Sequence, residues 1–230
     1  MVPLLVIAGI VLVGAVAYFS WLAEKKRREA MARLAAELGW SFDPTRDRSH
    51  DEEYAHFEIF RRGHSRAAHN TMWGELELKG RRWPAKMGDF TYKVTTSTGK
   101  STSTQTYRFS YLILHMPWSG VPDLLIRREG MFDKIAGALG FDDIDFESAQ
   151  FSRRFHVSSP DKRFAYDVID PRMMEFLMTG DPPTVDIENT RCCISDGRRR
   201  WETVEFRQKL AWITEFLDHW PEHVLVALQD

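Results

Sequence analysis

The feature that most constrains this chain is its opening run of apolar residues. From Val2 to Ala23 no side chain carries a charge, and Leu4, Leu5, Val6, Ile7, Ile10, Val11, Leu12, Val13 and Val16 leave no polar face. At 1.5 Å of rise per residue, roughly 20 residues in a helix cover the hydrocarbon core of a bilayer. A helix also satisfies its own backbone where no water can. Tyr18 and Trp21 stand toward the C-terminal edge of the run, where amphipathic rings favour the headgroup layer. Lys25, Lys26, Arg27 and Arg28 follow, and no basic side chain precedes the run. The expectation is one membrane-spanning helix over residues 1–23 with the C-terminal side in the cytoplasm. The four basic residues are expected to set that topology and to meet lipid headgroups. Ala15-Val16-Ala17 resembles a signal-peptide cleavage site, but the basic segment that should precede it is missing and the cationic cluster lies on the side to be translocated.

Residues 24–39 read as a juxtamembrane helix continuous with the first. Ala30, Ala32, Leu34, Ala35, Ala36 and Leu38 are good helix formers, and Gly39 is placed to end it. Residues 40–230 are then expected to form a soluble α+β domain. Leu34 to Trp40 echoes Ile135 to Phe141, which allows two related halves with a boundary near 120–140.

Charge excludes one class of partner. Four of the 31 basic and two of the 33 acidic residues lie in 24–29, which leaves 27 basic against 31 acidic beyond them. A slightly acidic domain lacks the electrostatic footprint of a nucleic-acid binder, so no nucleic acid is expected. Cys192 and Cys193 are adjacent, too close for relaxed disulfide geometry and too few for a thiolate zinc site. They suit a reducing compartment.

Period-2 alternation marks the strands. Phe90, Tyr92 and Val94 face Tyr107, Phe109, Tyr111 and Ile113 across a polar tip, Thr95 to Thr104, in a long hairpin. Thr71 to Leu78, Phe57 to Phe60 and Phe151 to Val157 also read as strands, and Val185–Glu188 with Arg191–Ile194 as a smaller hairpin. Residues 45–53 read as a surface loop. Helices are expected over Arg128 to Leu139, from Asp170-Pro171 to Gly180, and from Glu202 to Asp218, the last ended by Pro221.

Motif chemistry is thin. Gly99-Lys100-Ser101 ends like a phosphate-binding loop, but Val94 stands where its first glycine belongs and no helix follows. His219-Trp-Pro-Glu-His223 matches an inverted zincin pattern, yet Pro221 breaks the helix that motif needs. His50, His56, His64 and His69 show no ligand spacing, and Asp142, Asp143, Asp145 and Glu147 fail the calcium-loop pattern. An ion-pair cluster with Arg153-Arg154 is the expectation there. No metal and no cofactor is expected. A hydrolase-type site scattered through the chain, acting near the membrane, is the alternative class; His64, His69, Asp89 and Asp143 are its nominees.

Gly88-Asp-Phe-Thr-Tyr92, Thr104 to Phe109, Asp143-Ile-Asp-Phe146 and Phe151 to Phe155, together with the N-terminal run, resemble a loose group of bacterial membrane-anchored proteins of unknown function. The resemblance implies an inner-membrane setting and brings no site residues. The expected fold is α+β: a transmembrane helix, then an antiparallel sheet centred on the long hairpin with covering helices. The expected role is a cytoplasmic, non-catalytic interaction module with a protein partner.

Overall fold

Apolar side chains that alternate along the central strands divide into two sets, and the two sets build the two faces of one sheet. On β3 (Arg81–Ser97), Trp83, Ala85 and Met87 point to one side, while Phe90 and Tyr92 point to the other. β4 (Thr102–His115) divides likewise, Leu112 and Leu114 against Phe109, Tyr111 and Ile113. The computed structural model describes residues 2–99, 101–129, 143–197 and 199–229, with side chains from residue 10 onward.

The fold is α+β, with eight antiparallel strands in the order β1-β2-β3-β4-β8-β7-β5-β6. β1 (Ser41–Asp43) and β2 (His64–Leu78) precede the long hairpin β3–β4. β5 (Leu124–Arg128), β6 (Phe155–Ser158), β7 (Thr184–Glu188) and β8 (Arg191–Ser195) complete the sheet. β4 pairs with β8 from Tyr111↔Ser195 to His115↔Arg191, so one sheet runs through both parts of the chain.

Helix α1 (Val2–Leu38) is unbroken through the expected boundary at residue 24. Among the described residues no helix is long and apolar enough to cross a membrane. The side chains of residues 2–9, the first third of the apolar run, lie outside that description. α1 ends in a Schellman turn: Gly39 has φ +68°, its N–H donates to the Ala36 carbonyl, and the Trp40 N–H donates to the Ala35 carbonyl at 2.8 Å. Met31, Leu34 and Ala35 then pack on the sheet with Met72 and Met87.

Several expectations are corrected. Phe57 to Phe60 is not a strand. Glu58–Arg61 forms α3, and with α2 (His50–Glu53) it caps the second face of the sheet, burying Tyr54, Phe57 and Phe60. So short an apolar run is ambiguous in period, and burial against the sheet decided it. Residues 45–53 are not wholly a surface loop, because His50 is fully buried. Phe151 lies in α4 (Ala149–Arg154), where the Ser148 Oγ accepts the Phe151 N–H; the strand begins only at Phe155. The helix expected from Arg128 begins inside β5, and from residue 130 onward it, like the echo at 135–141, falls outside the described residues.

Other expectations hold in the fold. Asp170 caps α6 (Pro171–Met178), its Oδ1 accepting the Met173 N–H at 2.8 Å. Glu202 and Glu205 form a capping box for α7 (Thr203–Asp218), and Pro221 separates it from α8 (Glu222–Ala227). α5 (Lys162–Val168) was not foreseen. The long hairpin stays paired as far as Ser97↔Thr102, so its tip is shorter than its hydroxyl-rich composition suggests.

Candidate functional site

The most organised polar cluster lies where α1 crosses the sheet. His69 on β2, Asp89 on β3 and Ser110 on β4 stand directly opposite one another, a row across three strands. A bulge between His69 and Met72 puts Asn70 in the left-handed region at φ +50°, a conformation asparagine tolerates better than most residues. Gly88 makes room for that bulge, since a Cβ there would stand 3.1 Å from the Thr71 Cα and 3.2 Å from the Asn70 carbonyl oxygen.

Asp89 is wholly buried. Arg27 descends from α1 and binds it in a fork, Nε donating to Oδ2 at 2.7 Å and Nη2 to Oδ1 at 2.6 Å. Ser110 Oγ donates to Oδ1 at 2.7 Å and Asn70 Nδ2 to Oδ2 at 3.1 Å. Arg27 Nη2 also donates to the Trp201 carbonyl at 2.9 Å, and the Trp201 N–H donates to Ser110 Oγ at the same distance. Burial pushes the Asp89 carboxyl up, but the hydrogen bonds and charge of Arg27, with Ser110 and Asn70, more than offset it and leave it below its usual range. For Arg27 burial works to lower the pKa, and Asp89 raises it overall. Burial lowers the His69 pKa despite the nearby Asp89 charge.

The structure therefore divides the basic cluster. Arg27 is a lock between helix and sheet, which nothing in its sequence neighbourhood signals because Asp89 lies 62 residues away. Lys25 is exposed, near Glu29 at 3.9 Å and over the Trp21 ring, and Lys26 is exposed too. Arg28 is exposed and lines a pocket beside the lock. Glu24, one turn earlier, is held by Arg200 Nη1 at 2.8 and 2.9 Å.

Of the four residues nominated for a dispersed catalytic site, His69 and Asp89 are neighbours. His64 is exposed near the tip of the long hairpin, its Nε2 2.9 Å from Thr95 Oγ1. Asp143 lies at the far end of the sheet, where it meets His156 at 3.2 Å and accepts the Val157 N–H. The four do not form one site, and both carboxylate oxygens of Asp89 are already occupied. Among the described residues the expected ion pairs of Arg153 and Arg154 do not form: Arg153 Nε donates to the Ala149 carbonyl, and Arg154 to those of Met178 and Gly180.

Among the described residues, Glu129, Asp143 and His156 each bring one potential ligand atom within 4.8 Å of the others, two of the three from exposed carboxylates. His219 caps α7 and His223 lies in α8, on separate helices. Cys192 and Cys193 face opposite sides of the sheet, both buried, with burial pushing both thiols far up. A second hollow of about 440 Å³ lies along β1–β3, with Asp43, Asp47, Glu53 and Lys86 at its wall. Its lysine pairs with Glu53 at 2.9 Å, and Asp47 is held by Ser49.

Fold and site together define an α+β domain on one antiparallel sheet, locked through a buried ion pair to a long N-terminal helix. A solved structure, the crystal structure of the mycobacterial trehalose monomycolate transport factor A, aligns with it at a TM-score of 0.52. Identity is 11%, over 84% of this chain and 96% of that one, a likeness of fold alone. No family model matches the chain, and no curated protein does.

Proposed function

We propose that this chain is a single-pass protein of a bacterial inner membrane, and that its C-terminal domain is a cytoplasmic, non-catalytic module serving a protein partner. The observation that carries the reading is an uncovered apolar rod. Ile10, Val11, Leu12, Val13, Val16, Phe19 and Trp21 each leave more than half of their surface exposed, on all sides of α1. Apolar surface of that extent marks a membrane or protein contact, and a helix apolar all round belongs in one of those settings. The charge-free run from Val2 and the cationic residues after Ala23 favour the membrane and the cytoplasmic orientation. The non-catalytic part rests on the dispersal of His64 and Asp143 and on the use of Asp89 as an anchor for Arg27.

The test uses the full chain with a C-terminal tag. After a carbonate wash at high pH the protein should stay with the membrane pellet. Gentle extraction followed by native mass spectrometry should recover one other protein in comparable amount. Release by carbonate would sink the anchor. Recovery alone, or with only a small molecule bound, would sink the adaptor role.

A further inference from the structure

Beside the lock lies a pocket of about 270 Å³, walled by Glu24 and Arg28 from α1, Arg46 from the loop after β1, His69 from β2, Thr91 from β3 and Arg108 from β4. Thr91 and Arg108 are opposite each other, one step along the same sheet face from the Asp89–Ser110 pair. We infer that this pocket binds a phosphate-bearing anion, supplied in the first place by the headgroup of an anionic phospholipid.

The argument begins with charge pairing. One carboxylate, Glu24, lines the pocket, and Asp89 lies buried beside it. Arg200 takes the first and Arg27 the second. No carboxylate pairs with Arg28, Arg46 or Arg108 among the described residues. Three guanidinium groups from three separate elements thus converge uncompensated, in a domain whose remaining residues lean acidic. Guanidinium groups bind phosphate through paired N–H donors, and they give up their hydration more readily than ammonium groups do. Thr91 adds a hydroxyl and His69 a ring.

Size and position select the source. The volume is below the usual range for drug-sized ligands, room for a phosphate and a short polar ester but not for acyl chains. Arg28 follows Trp21 by two helical turns, so about 10 Å along the axis. The headgroup layer beyond the hydrocarbon is about 5–8 Å deep on each side. If Trp21 marks the interface, Arg28 stands at the outer margin of the headgroups. The choice of a lipid source rests on the membrane-anchor reading. The pocket itself does not.

The experiment takes the full chain in neutral detergent and measures binding of short-chain phosphatidylglycerol, short-chain phosphatidylcholine and inorganic phosphate. It compares the native protein with Arg46→Gln/Arg108→Gln, both exposed and outside every ion pair, and with Lys25→Gln/Lys26→Gln as a charge-matched control. Phosphatidylglycerol should bind at least fivefold tighter than phosphatidylcholine. The arginine variant should lose at least tenfold, and the lysine variant less than threefold. Equal losses in both variants would reduce the effect to diffuse attraction and overturn the site, as would unchanged binding in the arginine variant. Arginine-dependent binding of inorganic phosphate as tight as that of phosphatidylglycerol would uphold the site and assign it to a soluble phosphate ester. That result survives even if carbonate releases the protein, so failure of the anchor and failure of the pocket are told apart.

Discussion

Replacing Arg27 by methionine should destabilise the domain far more than any exposed charge change on the same helix. The variant keeps most of the aliphatic packing but leaves Asp89, with no exposed surface, facing α1 without a counter-charge. Removing one partner of a buried ion pair costs about 3–5 kcal/mol, whereas an exposed pair such as Lys25–Glu29 contributes about 0–1 kcal/mol. Ser110 and Asn70 still donate to the carboxylate, which places Arg27→Met toward the lower end. For a domain of this length, 3 kcal/mol lowers Tm by about 6–12 °C. Arg27→Met/Asp89→Leu removes both charges and should recover at least 2 kcal/mol relative to the sum of the single changes. Urea titration of the full chain in neutral detergent, followed by circular dichroism, measures all four corners of the cycle. The pH dependence adds a check of sign. A carboxyl depressed in the folded state stabilises above its unfolded pKa of about 3.9 and loses that contribution as pH falls through the folded value. The native protein's advantage over Arg27→Met should therefore shrink below about pH 4. A cost under 1 kcal/mol, or a double variant no better than the sum, would refute the reasoning.

His50 is fully buried among Tyr54, Phe60, Phe90 and Tyr111, with no hydrogen-bond partner on either ring nitrogen among the described residues, and burial pushes its pKa down to about 3. Because the unfolded ring takes its proton near pH 6.5, His50 withdraws about 2 kcal/mol of stability by pH 5; His50→Phe should flatten the native slope between pH 7 and 5 by about that amount. Cys192 and Cys193 should resist a thiol-specific disulfide reagent in the native state and react at two equivalents once urea unfolds the sheet; rapid labelling without denaturant would contradict their burial. A Cβ on Gly74 would stand 2.4 Å from Trp40 Cδ1, so Gly74→Ala should displace the Trp40 indole, cost about 1–3 kcal/mol and shift the tryptophan emission; unchanged emission would mean the strand absorbs the methyl elsewhere.

Elements with strong local chemistry were legible in the sequence. The Asp170-Pro171 cap, the Gly39 terminus and the alternation of the long hairpin each fix conformation within a few residues. Phe57 to Phe60 and the Ser148-capped turn before Phe155 were not, because in runs that short the period is ambiguous and only the opposing sheet face selects helix. The site was half legible. His69 and Asp89 were among the nominees for a dispersed hydrolase-type site. Arg27 read as one of four equivalent topology charges, Arg46 as part of a surface loop, and Arg108 drew no reading. What distinguishes them is a partner, or the lack of one, on strands far along the chain.

Helix α1 leaves the domain without a hinge. Arg27 on Asp89, Arg200 on Glu24 and Arg207 on Glu37 fasten the same rod at three points, and the Schellman turn closes it on the sheet. A rod of 37 residues is about 55 Å long. Rotating its apolar end by about 10° swings the other end by about 10 Å, and the sheet must turn with it. The chain is therefore a strut, where a glycine-rich connection would have made a leash. Whatever grips the apolar end sets the attitude of the domain as well as its address. In a bilayer, a change in thickness that tilts the helix would be delivered to the long hairpin as a change of aim.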